Sequence, residues 1–440
     1  MMRRLATLVL GAALAILASR AGAQDTTSRG VRIGLTYQPG MKPGVMVLPA
    51  PWLNGDSIRA IIERDLDYSD RVTVMVSFDS AGTLSRPPLN YGLFGRLGAA
   101  ALVQLAPTPA GVRVTVHDVA KSRVIDQSDF RLPLSPMTAE WRLGVHGVSD
   151  EIERWITGVR GIASTRVVYV RDKQIRIVDS DGANDRVIAG GAAACFITCA
   201  SPAWHPNGRA VAYTAMTESG TRLAVRDLES NSVRWVSATP YSIAITPVFS
   251  RDGSLLAYSY GAENGTDIFV APALAAGQAR RVTIGRGSEN LNPTFSPDGR
   301  KISFVSGRLG HPEVYITDAD GTNVELLTQA NVGEQAYRTS PDWSPDGRTI
   351  AYHAQIGGVF QLFTIGLRER VPRQLTSDAS NEDPWWAPDS RHIVFTSTRS
   401  GVPQLFVMDV ESGRVRQLTR GAGSRLGSWS SHLGSSPPTE

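Results

Sequence analysis

The stretch from Phe295 to Phe304 reads FSPDGRKISF, and near copies recur along the second part of the chain at an almost constant interval. They are AWHPNGRAVAY ending at Tyr213, VFSRDGSLLAY at Tyr258, DWSPDGRTIAY at Tyr352 and WWAPDSRHIVF at Phe395, with a worn SWSSHL from Ser428. The aligned aromatics Trp204, Phe249, Phe295, Trp343, Trp386 and Trp429 stand 43 to 48 residues apart. A period near 45 is that of one four-stranded blade of a β-propeller. Helical solenoids are excluded by the content of each unit, which is β-branched and aromatic and broken by Gly and Asp every several residues.

Within one unit the phrase has a mechanical meaning. Ser296-Pro297-Asp298-Gly299 suits a type I turn, with Pro fixing φ at the first central position and Gly accepting positive φ at the exit. The repeated Ser and Asp are therefore read as turn formers. A group present in every blade is spread around the ring, whereas a catalytic constellation converges on one place. Downstream, EVYITD (Glu313 to Asp318) and VELLT (Val324 to Thr328) read as the third and fourth strands. At the near end, TRVVYV from Thr165 and QIRIV from Gln174 lack an inner strand, and the final Ser428-Trp429-Ser430 is an inner strand with nothing after it. Together they predict six blades, with the C-terminal strand closing the first, which removes open sheet edges.

A chain of 440 residues exceeds what one core usually serves. The segment before the repeats lacks the period and reads as a small α/β domain. Val45 to Leu48 and Val72 to Val76 are strands, and a helix from about Ser57 carries the stripe Ile58, Ile61, Ile62 and Leu66. Ala99 to Leu105, Val112 to Val119 and Val124 to Leu132 form a meander. A longer helix after Ser135-Pro136 carries Trp141, Val145, Val148, Ile152, Trp155 and Ile156 on one face. His146 within it is read as a core or helix-surface residue, since it has no partner motif.

The first residues follow the secretory pattern: Arg3 and Arg4, an apolar run from Leu5 to Leu17, then Ala21-Gly22-Ala23. The expected organisation is a signal peptide over 1–23, a flexible arm over 24–40, the α/β domain over 41–160, the propeller over 161–433 and a disordered tail over 434–440. Without the leader the net charge falls from +4 to +1, so the basic pI gives no support for a nucleic-acid or membrane-surface partner. No later stretch reaches transmembrane length. Cys195 and Cys199, four apart, are compatible with a short disulfide or with free thiols, and they lack the companions of a metal site.

The repeated phrase, together with EWRLGVHGVSDEIERWITGVRGIASTRVVYV (Glu140 to Val170) and GAAALVQLAPTPAGVRVTVHDV (Gly98 to Val119), resembles the TolB family, the periplasmic propellers of the Tol-Pal system. The resemblance runs from about Val31 to Leu433. It implies a non-enzymatic, cofactor-free monomer in the periplasm that supports outer-membrane integrity and constriction in division. It implies binding of the lipoprotein Pal over the propeller mouth and of TolA through the N-terminal arm, where Val31, Ile33 and Leu35 alternate as a strand able to add to a sheet edge. Matched by position, the Pal-facing residues are Ala200 and Ser201, then Ile243 and Thr246, then Glu289, Leu291 and Asn292. Arg338 and Thr339, and Asn381 and Glu382, complete the set. Ile243 departs from the family pattern, which has a polar residue or His there.

Two other readings compete. A propeller peptidase needs a separate hydrolase domain with a G-x-S-x-G elbow, which does not occur. A propeller lyase needs a His and acid cluster, whereas His205, His311, His353 and His392 fall at non-equivalent places in four blades. A generic propeller scaffold with another partner shares the fold and is separated only by a binding measurement.

Overall fold

The computed structural model describes residues 41–76, 86–191, 195, 197–218, 220–236, 242–262, 265–275, 277–285, 288–329 and 337–433. The expected leader, arm and tail, with Val31, Ile33 and Leu35, lie outside them.

The N-terminal domain runs β1 (Gly44–Val47), α1 (Gly55–Tyr68), β2 (Thr73–Met75), α2 (Tyr91–Arg96), β3 (Ala101–Thr108), β4 (Gly111–Asp118), β5 (Arg123–Arg131) and α3 (Ala139–Thr157). The sheet order is β2-β1-β3-β4-β5, parallel on both sides of β1 and antiparallel beyond. The stripes of α1 and α3 pack on one sheet face, with Ile62, Leu66, Val145, Ile152 and Ile156 buried against Val45, Val103 and Val114. Helix α3 starts later than Ser135-Pro136 suggests. Met137 sits at φ 64°, which interrupts a helix, and Thr138 becomes the cap, its Oγ1 accepting the Trp141 N–H at 3.2 Å. His146 is fully buried, with Nδ1 2.7 Å from Asp65 Oδ2 on α1.

Six four-stranded sheets follow. Blade one combines Arg166–Arg171, Gln174–Asp179 and Arg186–Ala189 with the last strand of the chain, Ser424–Trp429, which runs antiparallel to Arg166–Arg171. Trp429 Nε1 donates to Thr165 Oγ1 at 2.7 Å across this closure. Blades two to six begin at the inner strands Thr198–Trp204, Ile243–Phe249, Asn290–Phe295, Arg338–Trp343 and Asn381–Trp386. Cys195 and Cys199 form a disulfide at the entrance to blade two, with Cα atoms 5.4 Å apart.

The repeated phrase does the work of a turn. Ser296 Oγ donates to Asp298 at 2.6 Å and accepts the Lys301 N–H at 2.9 Å, while Gly299 takes φ 69°. Ser250 with Asp252 and Ser344 with Asp346 repeat the arrangement. The Ser296 hydroxyl holds the Asp298 carboxyl below its ordinary value. These turns lie at the end of each blade opposite the start of its inner strand.

Blade six departs from the phrase, and its departure serves docking. Ala387 replaces the Ser, so Asp389 bonds His392 Nδ1 at 2.7 Å and Arg71 Nη2 of the N-terminal domain at 3.2 Å. Arg391 reaches the Asp70 carbonyl at 3.2 Å, Arg414 meets Asp67 at 2.7 Å and Arg142 meets Asp181 at 2.5 Å. The N-terminal domain thus sits on the turn end of blades one and six.

Candidate functional site

At the other end of the ring the six inner strands enter around a shared mouth. In each, one residue lies in the left-handed region: Ser201 (φ 45°), Thr246 (52°), Asn292 (51°), Ser340 (50°), Asp383 (54°) and Leu426 (56°). The strand register breaks at the same point in every blade, as between Ile245 and Val248 or between Leu291 and Thr294. These are bulges, and in five blades the next residue is a proline, which has no N–H to lose from the ladder. For a residue with a side chain this conformation costs roughly 1–2 kcal/mol. Six such residues converge on one place, which marks the mouth as a candidate site.

The six residues and their prolines line a cavity of about 80 Å³. Its floor is Trp385, which also forms the roof of a second cavity of about 70 Å³ further down the channel. The Trp385 ring packs against the cores between blades two and three, three and four, and six and one, so it spans the channel. In the lower cavity, Asp342 is buried, accepts the Trp386 N–H at 2.7 Å and neighbours Arg251. Burial pushes its carboxyl up to about 7. Nearer the mouth, His353 accepts the Asp383 N–H at Nδ1 and pairs with Thr339 Oγ1 at 2.6 Å. Burial lowers its imidazole to about 4.

Of the residues expected at the partner face, the structure brings Ser201, Thr246 and Asn292 to the cavity wall. Ile243 stands exposed at 41% beside them at the start of its strand, Glu289 is exposed, and Ala200 and Leu291 are half-buried in their inner strands. Blades five and six differ from the expectation. Arg338 turns to Glu313 at 2.8 Å, Thr339 to His353, and Asn381 is fully buried with Gln361. Glu382 is half-buried and takes the Ser380 hydroxyl at 3.0 Å. The equivalent wall positions there are Ser340 and Asp383, and in blade one Leu426. Each lies three residues before the repeated aromatic, in Ser-Pro-Asp-Trp, Asp-Pro-Trp-Trp and Leu-Gly-Ser-Trp, so the signal was present. Trp385 carried no signal beyond its aromatic type.

The five propeller histidines do not converge, and the last of them, His432, bonds the Gly161 carbonyl at 2.7 Å. His205 bonds the Gly253 carbonyl at 3.0 Å, His392 bonds Asp389 at the turn end, His311 lies 3.5 Å from Glu313, and only His353 reaches the mouth. Among the described residues two groups have metal-ligand spacing, Asp70 with His392 and Asp409, and His146 with Asp179 and Asp181. Arginines already face these carboxylates: Arg414 at Asp70, Arg391 at Asp409, Arg166 at Asp179 and Arg142 at Asp181. Both groups are ion-pair networks rather than open cation sites.

Fold and mouth together define a six-bladed β-propeller that carries an α/β domain on its turn end and, among the described residues, leaves the opposite, bulge-lined face open. The family model for the TolB β-propeller domain matches residues 153–355 and 329–435. The chain belongs to the TolB β-propeller family. It is 32% identical over 214 residues to the Tol-Pal system protein TolB of Bordetella pertussis, covering 48% of this chain and 47% of that protein. It is 30% identical over 214 residues to the protein of the same name from Bordetella parapertussis, covering 48% and 46%. The chain thus spans about half the length of the curated relatives it matches. The crystal structure of TolB from Acinetobacter baumannii superposes with a TM-score of 0.75 at 22% identity, covering 90% of this chain and 98% of that one. No helix among the described residues is long and apolar enough to cross a membrane.

Proposed function

We propose that this chain is a non-enzymatic, periplasmic component of a Tol-Pal envelope system that binds a Pal-type lipoprotein over the propeller mouth. The observation that carries the reading is the ring of six left-handed residues around a shallow, floored cavity, on the face the N-terminal domain leaves free. The rim is preorganised, because bulges and prolines fix its backbone before any partner arrives, and so ordering it costs little on binding. Its chemistry suits a protein partner: proline rings and the exposed Ile243 give apolar contact, while Ser201, Asn292 and Asp383 offer polar groups. Trp385 closes the channel below, which favours a segment inserted shallowly over a ligand passing through.

The arm over 24–40, with Val31, Ile33 and Leu35, is assigned to TolA by β-addition, and the whole to support of the outer membrane during division. These assignments rest on family membership. The test is titration calorimetry of the chain against the soluble domain of its own organism's Pal. Saturable heat with one-to-one stoichiometry is expected. No heat from the correctly folded chain overturns the reading in favour of another propeller scaffold.

A further inference from the structure

Away from the mouth, the outer rim between blades one and two holds a cavity of about 350 Å³. Blade two, which supplies one wall, departs from a pattern that blades three to six share. In blades three to six an aromatic residue of the second strand stands opposite another of the third, and the rings pair: Tyr258 with Phe269, Phe304 with Tyr315, Tyr352 with Phe363, and Phe395 with Phe406. In blade two the second-strand ring is Tyr213, and the residue opposite is Ala224. A methyl group stands where blades three to six place a ring, and in blade one the residue opposite Tyr169 is Arg176.

The blades are also less tied here. Arg280, Arg373 and Arg416, on the outer strands of blades three, five and six, each donate to a backbone carbonyl of the next blade, as does Arg234 of blade two. Arg186, at the matching register in blade one, makes no such bond among the described residues.

The cavity is walled by Val187, Ile188 and Val233, with Trp235 at its opening, and two polar side chains enter it. Tyr213 is fully buried, and its hydroxyl has no partner among the described residues. Arg226 lies on the same face of the blade, diagonal to Tyr213 across the two strands. Among the described residues its guanidinium bonds only the neutral Asn231 Oδ1 at 3.1 Å, its buried Nε has no partner, and no carboxylate lies within ion-pair distance. Arg222 lies over the Trp235 ring at 4.8 Å and adds a second positive charge beside the opening. A buried hydroxyl and a buried guanidinium nitrogen without partners both gain from an acceptor, and the guanidinium asks for a charged one.

We propose that this cleft is a ligand site for a carboxylate borne on an apolar group about the size of one amino-acid side chain. The carboxylate meets Arg226 and the Tyr213 hydroxyl, and the apolar group packs against Ile188, Val233 and Trp235. The volume is within the range of small-ligand sites, and the wall combines aliphatic and aromatic side chains with two convergent polar groups. One guanidinium and one phenol match a single negative charge better than the larger demand of a phosphate. A free aryl or alkyl acid and the C-terminal residue of a peptide share this chemistry.

Titration calorimetry of the full chain with 3-phenylpropionate, with an N-acetylated dipeptide ending in phenylalanine, and with the carboxamide of each tests the assignment. Saturable binding by an acid, at least tenfold tighter than by its amide, is expected. A tighter free acid or a tighter dipeptide distinguishes the two sources, and either supports the site. Arg226→Gln is expected to lose at least tenfold in affinity and Tyr213→Phe several-fold. Ala224→Phe, which places a ring between Tyr213 and Trp235 as in blades three to six, is expected to abolish binding, with its thermal midpoint checking that the chain still folds. No saturable binding by either acid overturns the proposal, as does equal binding of acid and amide. So does binding that Ala224→Phe leaves intact.

Discussion

Arg71 lies 3.2 Å from Asp389 Oδ2 in the turn of blade six and 3.2 Å from Glu153 Oε1 on α3, so one guanidinium ties the propeller to the N-terminal domain. Both carboxylates are almost wholly inaccessible, and the ordinary turn residues of blade six have been given up to make the contact. Arg71→Ala leaves the buried Asp389 carboxylate with His392 alone and takes the partner from Glu153, whose carboxyl is pushed up to about 8 by burial, at an expected cost of about 3 kcal/mol. The expected result is a lower thermal midpoint with an earlier separate transition for the N-terminal domain, and faster proteolysis between residues 158 and 163. A single unshifted transition contradicts it.

The channel carries two groups with opposite pH dependence. Asp342 has a folded value near 7, raised by burial from an ordinary 3.8. The folded state therefore holds this proton more tightly, and stability falls as pH rises from about 4 to about 7. Asp342→Asn is expected to match the parent chain at pH 4 and to exceed it at pH 8, by up to roughly 4 kcal/mol. Chemical denaturation of the pair at both pH values checks this.

His353 works the other way. Its folded value near 4 lies below the ordinary 6.5, so its contribution is complete above pH 6.5 and is lost as pH falls towards 4. His353→Gln removes the loss, so its stability relative to the parent rises on acidification through that window. Because Asp342 acts in the same range, only the difference between each variant and the parent reports on the single group.

Closure of the ring depends on Trp429, which is buried between blades six and one and bonded to Thr165. Trp429→Ala removes that ring and its hydrogen bond, with an expected loss of about 3–5 kcal/mol. Removal of the whole strand Ser424–Trp429 opens an edge in blade one, and the shortened chain is expected to aggregate on size-exclusion chromatography.

The repeated phrase is expected to matter to stability and not to binding. Ser296→Ala removes one hydroxyl that serves both Asp298 and the Lys301 N–H, a loss of about 1 kcal/mol. Partner affinity is expected to be unchanged, because the turn lies at the far end of blade four. A change in affinity without a change in stability contradicts the structural role of the phrase.

The fold was legible because its signals are local. The turn Ser296-Pro297-Asp298-Gly299 and the aromatic before it declare themselves within one blade, and repetition supplies the count. The mouth was only half legible. Matching by position put Ser201, Thr246 and Asn292 on the cavity wall, three residues before their aromatics, yet in blades five and six it ran one or two residues too far back, to Arg338, Thr339, Asn381 and Glu382. The bulge recurs three residues before the aromatic in every blade, so a strict count from Trp343 and Trp386 reaches Ser340 and Asp383 as well. The span of Trp385 across the channel and the cleft at Ala224 depend on contacts between separate blades. No spacing within the chain encodes those. The docking role of Asp389 was likewise hidden, since its departure from the phrase reads in sequence only as a weakened turn.

The most direct test of the central claim is the Pal titration repeated with Ile243→Arg. Ile243 is exposed at 41% on the mouth face, so the variant folds without a packing loss and places a long charged side chain at the proposed contact. The account predicts saturable binding by the parent chain, a loss of at least tenfold in Ile243→Arg, and no loss in Ser296→Ala. Unchanged affinity in a correctly folded Ile243→Arg chain contradicts the assignment of the mouth as the binding face.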